Sequence, residues 1–304
     1  MRRLVGVEMT RLTARRGIRL LVLALLIITV VAGTTVFLKS HRTTPERLAR
    51  ARAAVASEHA RCLSGEIKPF DAPPGVELDP QQFCDEQFNA DNVRIDKQFH
   101  LSSFRDVVKG TATFMVILGL AIGATFIGAE WSHGTIVTLL AWEPRRYRVV
   151  AAKMIGCAAV VFAGAVVFEI ILGAALVPAA IFRGDTAGLN GMWYRDVAGT
   201  VLRGATLAVI ASMIGVSIAN VARNTAAAIG IAFVYIAVIE NIIRGLLPGY
   251  QRWLLTLNAG RFLIAEDMTE FPYRSTLGAG LLVAAYALGI FELSTATFRR
   301  RDIT

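Results

Sequence analysis

At six places in this 304-residue chain, apolar residues dominate for about 20 positions, with polar residues gathered between the runs. A helix rises about 1.5 Å per residue, so a run of that length matches the hydrocarbon thickness of a bilayer. The segments are Ile18–Leu38, Thr111–Gly128, Met154–Phe182, Val197–Ala219, Thr225–Leu247 and Leu277–Phe298. Backbone in lipid must satisfy its own hydrogen bonds, so each run is predicted to be helical. Pro178 falls in the third and longest run and is expected to end its spanning part. The first run follows Arg2, Arg3, Arg11, Arg15 and Arg16 and holds Arg19 near its start. Its apolar core exceeds the roughly 7–15 residues of a secretory signal and no small-residue cleavage site follows, so it is read as a retained anchor.

Composition fits this pattern. Hydrophobic residues make up 55% and charged residues 18%, with a mean hydropathy of +0.53. The fold class is therefore all-α integral membrane protein with six transmembrane helices. It forms a single transmembrane domain over 1–304, with an extracytoplasmic insertion at 39–109. Fourteen of the 32 Lys and Arg residues lie in short segments on one side: six in the N-terminal tail, then Arg145, Arg146, Arg148, Lys153, Arg223 and Arg299, Arg300, Arg301. The positive-inside rule assigns that side, and both termini, to the cytoplasm of a cell-membrane protein. The 71-residue loop Lys39–Lys109 has eleven basic and eleven acidic residues and is long enough to escape the rule. Topology and anionic headgroups account for the net charge of +9, so no nucleic-acid partner is indicated.

The long loop holds Cys62 and Cys84, while Cys157 lies within the third run. Two thiols on the oxidising side either pair or stay free, since spacing alone does not decide. Thr44–Pro45 has the form of an N-cap with proline at the first helical position, and a helix is predicted over Glu46–Arg61. Asp71–Pro80 reads as a turn-rich break, followed by a weaker amphipathic stretch from Gln81 to about Lys97.

Several charges lie inside the apolar runs, where each is costly unless partnered. Glu169 and Arg203 sit at similar depth in the half away from the basic side, and Glu240 and Arg244 are one turn apart beside Asn241. Two readings stay open. In one, Glu169, Arg203, Glu240 and Arg244 line or gate a translocation path. In the other, Glu169 pairs with Arg203 and Glu240 with Arg244, and both pairs only hold helices together. Glu292 is close enough to the basic end of its run to reach water and is given no role. "GLAIG" (Gly119–Gly123) has the GxxxG spacing of close helix contact.

Common catalytic motifs are missing. No GxxxxGK[ST] loop is present, so ATP hydrolysis is not expected on this polypeptide, and no HExxH, CxxC or GxSxG occurs. Glu130 and His133 have the spacing of a helical metal-ligand pair. The other histidines, His41, His59 and His100, all fall in the opposite loop, so no metal site is expected.

The stretch from Gly128 to Arg146 interrupts two apolar runs with charge. Trp131, Thr135, Leu139 and Trp142 recur at helical spacing, which predicts a short amphipathic helix ended by Pro144 and anchored by Arg145, Arg146 and Arg148. Such a helix rests on lipid or docks into a partner.

"GAEWSHGTIVTLLAWEPRRYRVVAAK" resembles the intracellular loop of type-2 ABC exporter permeases. The matching positions are Gly128, Ala129, Glu130, Gly134, Thr135, Leu139, Leu140, Pro144, Arg146, Arg148, Ala152 and Lys153. The basic N-terminal pre-helix, the six spans and the terminal "FRRRD" extend the likeness to nearly the whole chain outside the long loop. The resemblance implies a permease subunit, with ATP and Mg²⁺ bound by separate cytoplasmic ABC ATPase subunits in two copies and a second permease completing a homodimer. It makes Glu130, Trp131, His133, Gly134, Thr135, Leu139 and Trp142 the ATPase-coupling residues. It also implies a short re-entrant hairpin within Pro248–Arg274, broken at Gly260 and Pro272. The long loop, and Trp142–Glu143 before Pro144, depart from the family pattern. The alternative is a stand-alone membrane protein, a secondary transporter or scaffold, but the two halves show no internal repeat to favour a transporter.

Overall fold

A computed structural model of the chain describes residues 1–41, 44–66, 80–88, 99–142, 145–265 and 274–300. Among the described residues the architecture is helical, with no strand. Six helical segments are long and apolar enough to cross a membrane: Arg16–Lys39, Leu101–Ser132, Arg146–Arg183, Gly191–Ala222, Thr225–Leu246 and Thr276–Arg300.

The chain divides into two compact units. The larger comprises Met1–Val31, Ser102–Ala175 and Gly188–Thr304. Its first element, α1 (Arg2–Ala14), buries only Glu8 and Leu12, and extended backbone at Arg15 separates it from α2 (Arg16–Lys39). The remaining spans are α5 (Phe104–Ser132), α7 (Arg146–Arg183), α8 (Gly191–Ala222), the α9 (Thr225–Val234) to α10 (Glu240–Leu246) segment, and α12 (Thr276–Arg300). Of these α8 is the most buried and α2 the least.

The α5–α8 seam explains the GxxxG spacing. A Cβ added at Gly119 or Gly123 would fall on the carbonyl of Ala208 or Ser212, and one at Gly215 would fall on that of Leu120. Backbones approach this closely only where the side chain is hydrogen.

The smaller unit comprises Ala32–Leu101 and Leu176–Ala187. Its α3 (Pro45–Leu63) begins at Thr44 with Pro45 at the first turn, although the Thr44 hydroxyl makes no capping bond. Cys62 and Cys84 are joined as a disulfide between α3 and α4 (Pro80–Gln87), and His59 Nε2 lies 2.7 Å from Asp85 Oδ1 beside it. Hydrogen bonds and charge from Arg61 hold the exposed Glu66 carboxyl below its ordinary range. His100 and Asp185 lie side by side, their backbones linked through Leu101 N–H to Asp185 O at 3.0 Å.

Three expectations need correction. The helix carrying Pro178 continues five residues past it to Arg183, so the proline lies near the end of the helix without ending it. The second span is longer than its apolar run and ends at Ser132, so Trp131 belongs to it and not to the short helix that follows. Gly260 does not break its helix, which runs through it. Asp71–Asp79, most of the stretch to Lys97, and Pro272 lie outside the described residues.

Candidate functional site: the basic-end loop and the clamped short helix

At the basic end of the larger unit, α5 stops at a glycine. His133 N–H donates to Ala129 O at 3.1 Å and Gly134 N–H to Trp131 O at 3.2 Å, with Gly134 at φ +67°. This left-handed closure suits glycine and ends the helix. The chain then re-enters a short helix, α6 (Thr135–Trp142), pinned by Ile136, which is only 1% exposed.

Beneath this loop lies an ionic cluster. Lys153, 0% exposed, places Nζ 2.7 Å from Glu8 Oε2 and 2.8 Å from Glu130 Oε1. Arg15 stands 3.5 Å from the same Glu130 oxygen and donates to Thr125 O and Phe126 O, each at 3.0 Å. The Phe126 ring faces both cations, with centroid distances of 4.9 Å to Arg15 and 5.0 Å to Lys153. Arg11 completes the set at 3.3 Å from Glu8. One lysine thus ties α1, α5 and α7 together at the base of α6.

The coupling residues implied by the family divide in two. Glu130 is inside the ionic cluster. Trp131 packs edge-on to Phe298 at 5.9 Å, donates Nε1–H to Asn220 Oδ1 at 3.2 Å and carries the Arg223 guanidinium at 4.6 Å. Asn220 in turn donates to Ser294 Oγ at 3.0 Å. By contrast His133, Gly134, Thr135 and Thr138 are exposed, and Leu139 is half-buried. Arg11, Arg15, Glu130, Thr135, Thr138 and Leu139 line an open cavity of about 640 Å³ between α1 and α6. Glu143, Pro144 and the Trp142 side chain lie outside the described residues.

At the opposite end of the unit, the four intramembrane charges fall into separate settings. The α9–α10 span passes through a π-helical turn at Tyr235–Ile239 just before Glu240. After it come a 3-10 turn, Pro248–Trp253, and a short helix, α11 (Leu255–Ile264). Glu240, 0% exposed, accepts the first-turn N–H of Thr256 at 3.0 Å and also the Thr256 hydroxyl. Arg244 bridges the two, 3.3 Å from Glu240 Oε2 and 2.6 Å from Thr256 Oγ1. At the far end of α11, Arg203 Nε donates to Leu263 O at 3.3 Å and Arg105 to Ile264 O at 3.4 Å. A carboxylate at the N-terminus and two guanidinium groups at the C-terminus oppose the helix dipole at both ends.

The Glu169–Arg203 pair is not formed, because Arg203 is spent on α11 and on Thr200 Oγ1 at 3.1 Å. Glu169, 5% exposed, accepts instead from the Thr111 hydroxyl at 2.6 Å. The Glu240–Arg244 pair does form. Glu8 was missed as a site residue, although it is the only acid in an arginine-rich tail, and that contrast was its visible signal.

The family model described as ABC-2 family transporter protein matches residues 9–303. No curated protein matches the chain.

Proposed function

Because the chain belongs to the ABC-2 family of transporter proteins, it is the membrane-spanning permease subunit of an ABC transporter, and we propose that it works as half of an exporter. Two copies pair across the bilayer, with both termini in the cytoplasm of the cell membrane. Each receives one cytoplasmic ABC ATPase subunit, which binds ATP and Mg²⁺, while this chain carries out no catalysis. The substrate is hydrophobic or amphipathic and reaches the protein from the lipid.

The observation that carries this reading is the exposed face of α6 over a cavity of about 640 Å³, set on the ionic cluster. A surface helix that only rested on lipid would need apolar residues outward. Here Thr135 and Thr138 face out while Ile136 is buried. A short helix that exposes threonines beside an open cavity suits insertion into a protein groove. The cluster adds stiffness: a push on α6 is carried to α1, α5 and α7 together.

The test is affinity capture of the full chain from its native membrane. Co-purification of a Walker-motif ATPase, with ATP-dependent transport after reconstitution, is the expected result. Recovery of the chain without any ATPase, together with ATP-independent activity, overturns the reading in favour of a stand-alone membrane protein.

A further inference from the structure

Away from the basic loop, the larger unit has a second open cavity, between the starts of α5 and α8. Its volume is about 440 Å³, within the roughly 300–1,000 Å³ of small-molecule sites. Arg105, Asp106 and Lys109 of α5 line one side, and Met192, Trp193 and Asp196 of α8 line the other. Trp193 ties the two sides together, donating Nε1–H to Ser102 O at 3.1 Å.

The lining mixes both signs of charge. Lys109 Nζ lies 3.1 Å from Asp106 Oδ1, and the Asp106 side chain is 75% exposed. Arg105 reaches Ile264 O at 3.4 Å, and among the described residues no group hydrogen-bonds the Asp196 carboxylate. Two cations and two carboxylates thus border one small volume, and Met192, 71% exposed, gives it an apolar lip. Helix length sets its depth. The 29 residues of α5 and 32 of α8 rise about 44 and 48 Å, against a hydrocarbon core of about 30 Å. Their first turns therefore stand in the headgroup layer, where the phosphates and amines of the lipids lie.

A headgroup that carries both charges matches such a lining. We propose that the α5–α8 cavity binds the headgroup of an ethanolamine phospholipid. Its phosphate lies against Lys109 and Arg105, its ammonium donates to Asp196 and Asp106, and its acyl chains descend past Met192. A choline headgroup has no N–H to give the two carboxylates, and a glycerol headgroup brings negative charge to them without a cation of its own. The site rests neither on an ATPase partner nor on the transport reading.

The experiment is native mass spectrometry of the purified full chain mixed with equal amounts of dioleoyl phosphatidylethanolamine, phosphatidylcholine and phosphatidylglycerol. The first ethanolamine adduct is expected to outweigh either competitor about tenfold, the weight of one charge-assisted hydrogen bond. Asp106→Asn combined with Asp196→Asn should erase that preference, while Lys109 and Arg105 remain for phosphate. Ser102 also lines the cavity and is exposed, so Ser102→Trp fills it, keeps both carboxylates and should erase the preference as well. No preference in the wild type, a preference for choline or glycerol, or an ethanolamine preference kept in either variant overturns the proposal.

Discussion

Lys153 donates to two carboxylates from two other helices in a place water does not reach. Removing one partner of a buried ionic group leaves the others uncompensated, which costs about 3–5 kcal/mol. Lys153→Met is therefore expected to lower the thermal midpoint of the detergent-solubilised chain sharply. Adding Glu8→Gln to it should recover part of the loss, because one of the two carboxylates then left with only its arginine, Arg11 for Glu8 and Arg15 for Glu130, is gone. Equal midpoints for the wild type and Lys153→Met would mean that the cluster contributes nothing to stability. Glu240 has a more local duty, as acceptor for the first turn of α11. Losing a helix cap costs about 1 kcal/mol. Glu240→Ala should speed amide hydrogen exchange through Leu255–Ile264 with little change elsewhere, and unaltered exchange there would show that α11 does not depend on it. These two sites differ in how they could be read from sequence. The Glu240–Arg244 pairing follows from i,i+4 spacing alone, whereas Glu8 and Lys153 are 145 residues apart and no local pattern joins them.

At the level of elements, the spans and their number follow from apolar run length, because hydrocarbon thickness fixes the length a helix needs. Their ends were harder to place. The second span continues through Glu130 and Trp131, two residues whose polarity suggests a loop, because their polar groups find partners on α7 and α8. In the same way, Arg203 was legible as a costly intramembrane charge, but not as a cap, since its acceptor is a backbone carbonyl 60 residues away. The GxxxG seam was legible as spacing; which helix it meets was not. That seam makes a sharp contrast between two glycines. Gly123→Leu drives a side chain into the Ser212 backbone and is expected to abolish monodisperse protein on size exclusion. Gly164→Leu meets open space and is expected to elute as the wild type does. Identical elution of both variants would mean that α5 and α8 do not approach as closely as described.

For the molecule as a whole, the question is which residues of the basic-end loop meet an ATPase and which hold the loop up. Family resemblance alone treats Glu130, Trp131 and Thr135 alike, but the packing separates them. Trp131 is bound by Asn220, Phe298 and Arg223, so Trp131→Ala empties a packed site, and losses of about 3–5 kcal/mol are typical of such aromatic truncations. Thr138 is exposed on α6 and lines the open cavity, so a large side chain there disturbs only what enters from outside. The two substitutions should therefore fail differently. Thr138→Trp is expected to keep the thermal midpoint of the wild type while capture of the ATPase subunit falls at least tenfold. Trp131→Ala should lower the midpoint, and ATPase capture should recover in whatever fraction remains folded. If Thr138→Trp captures ATPase normally and Trp131→Ala, although folded, does not, then the partner reads the inward residues and α6 is not its contact surface. That result would move the coupling surface from α6 to the loop that precedes it.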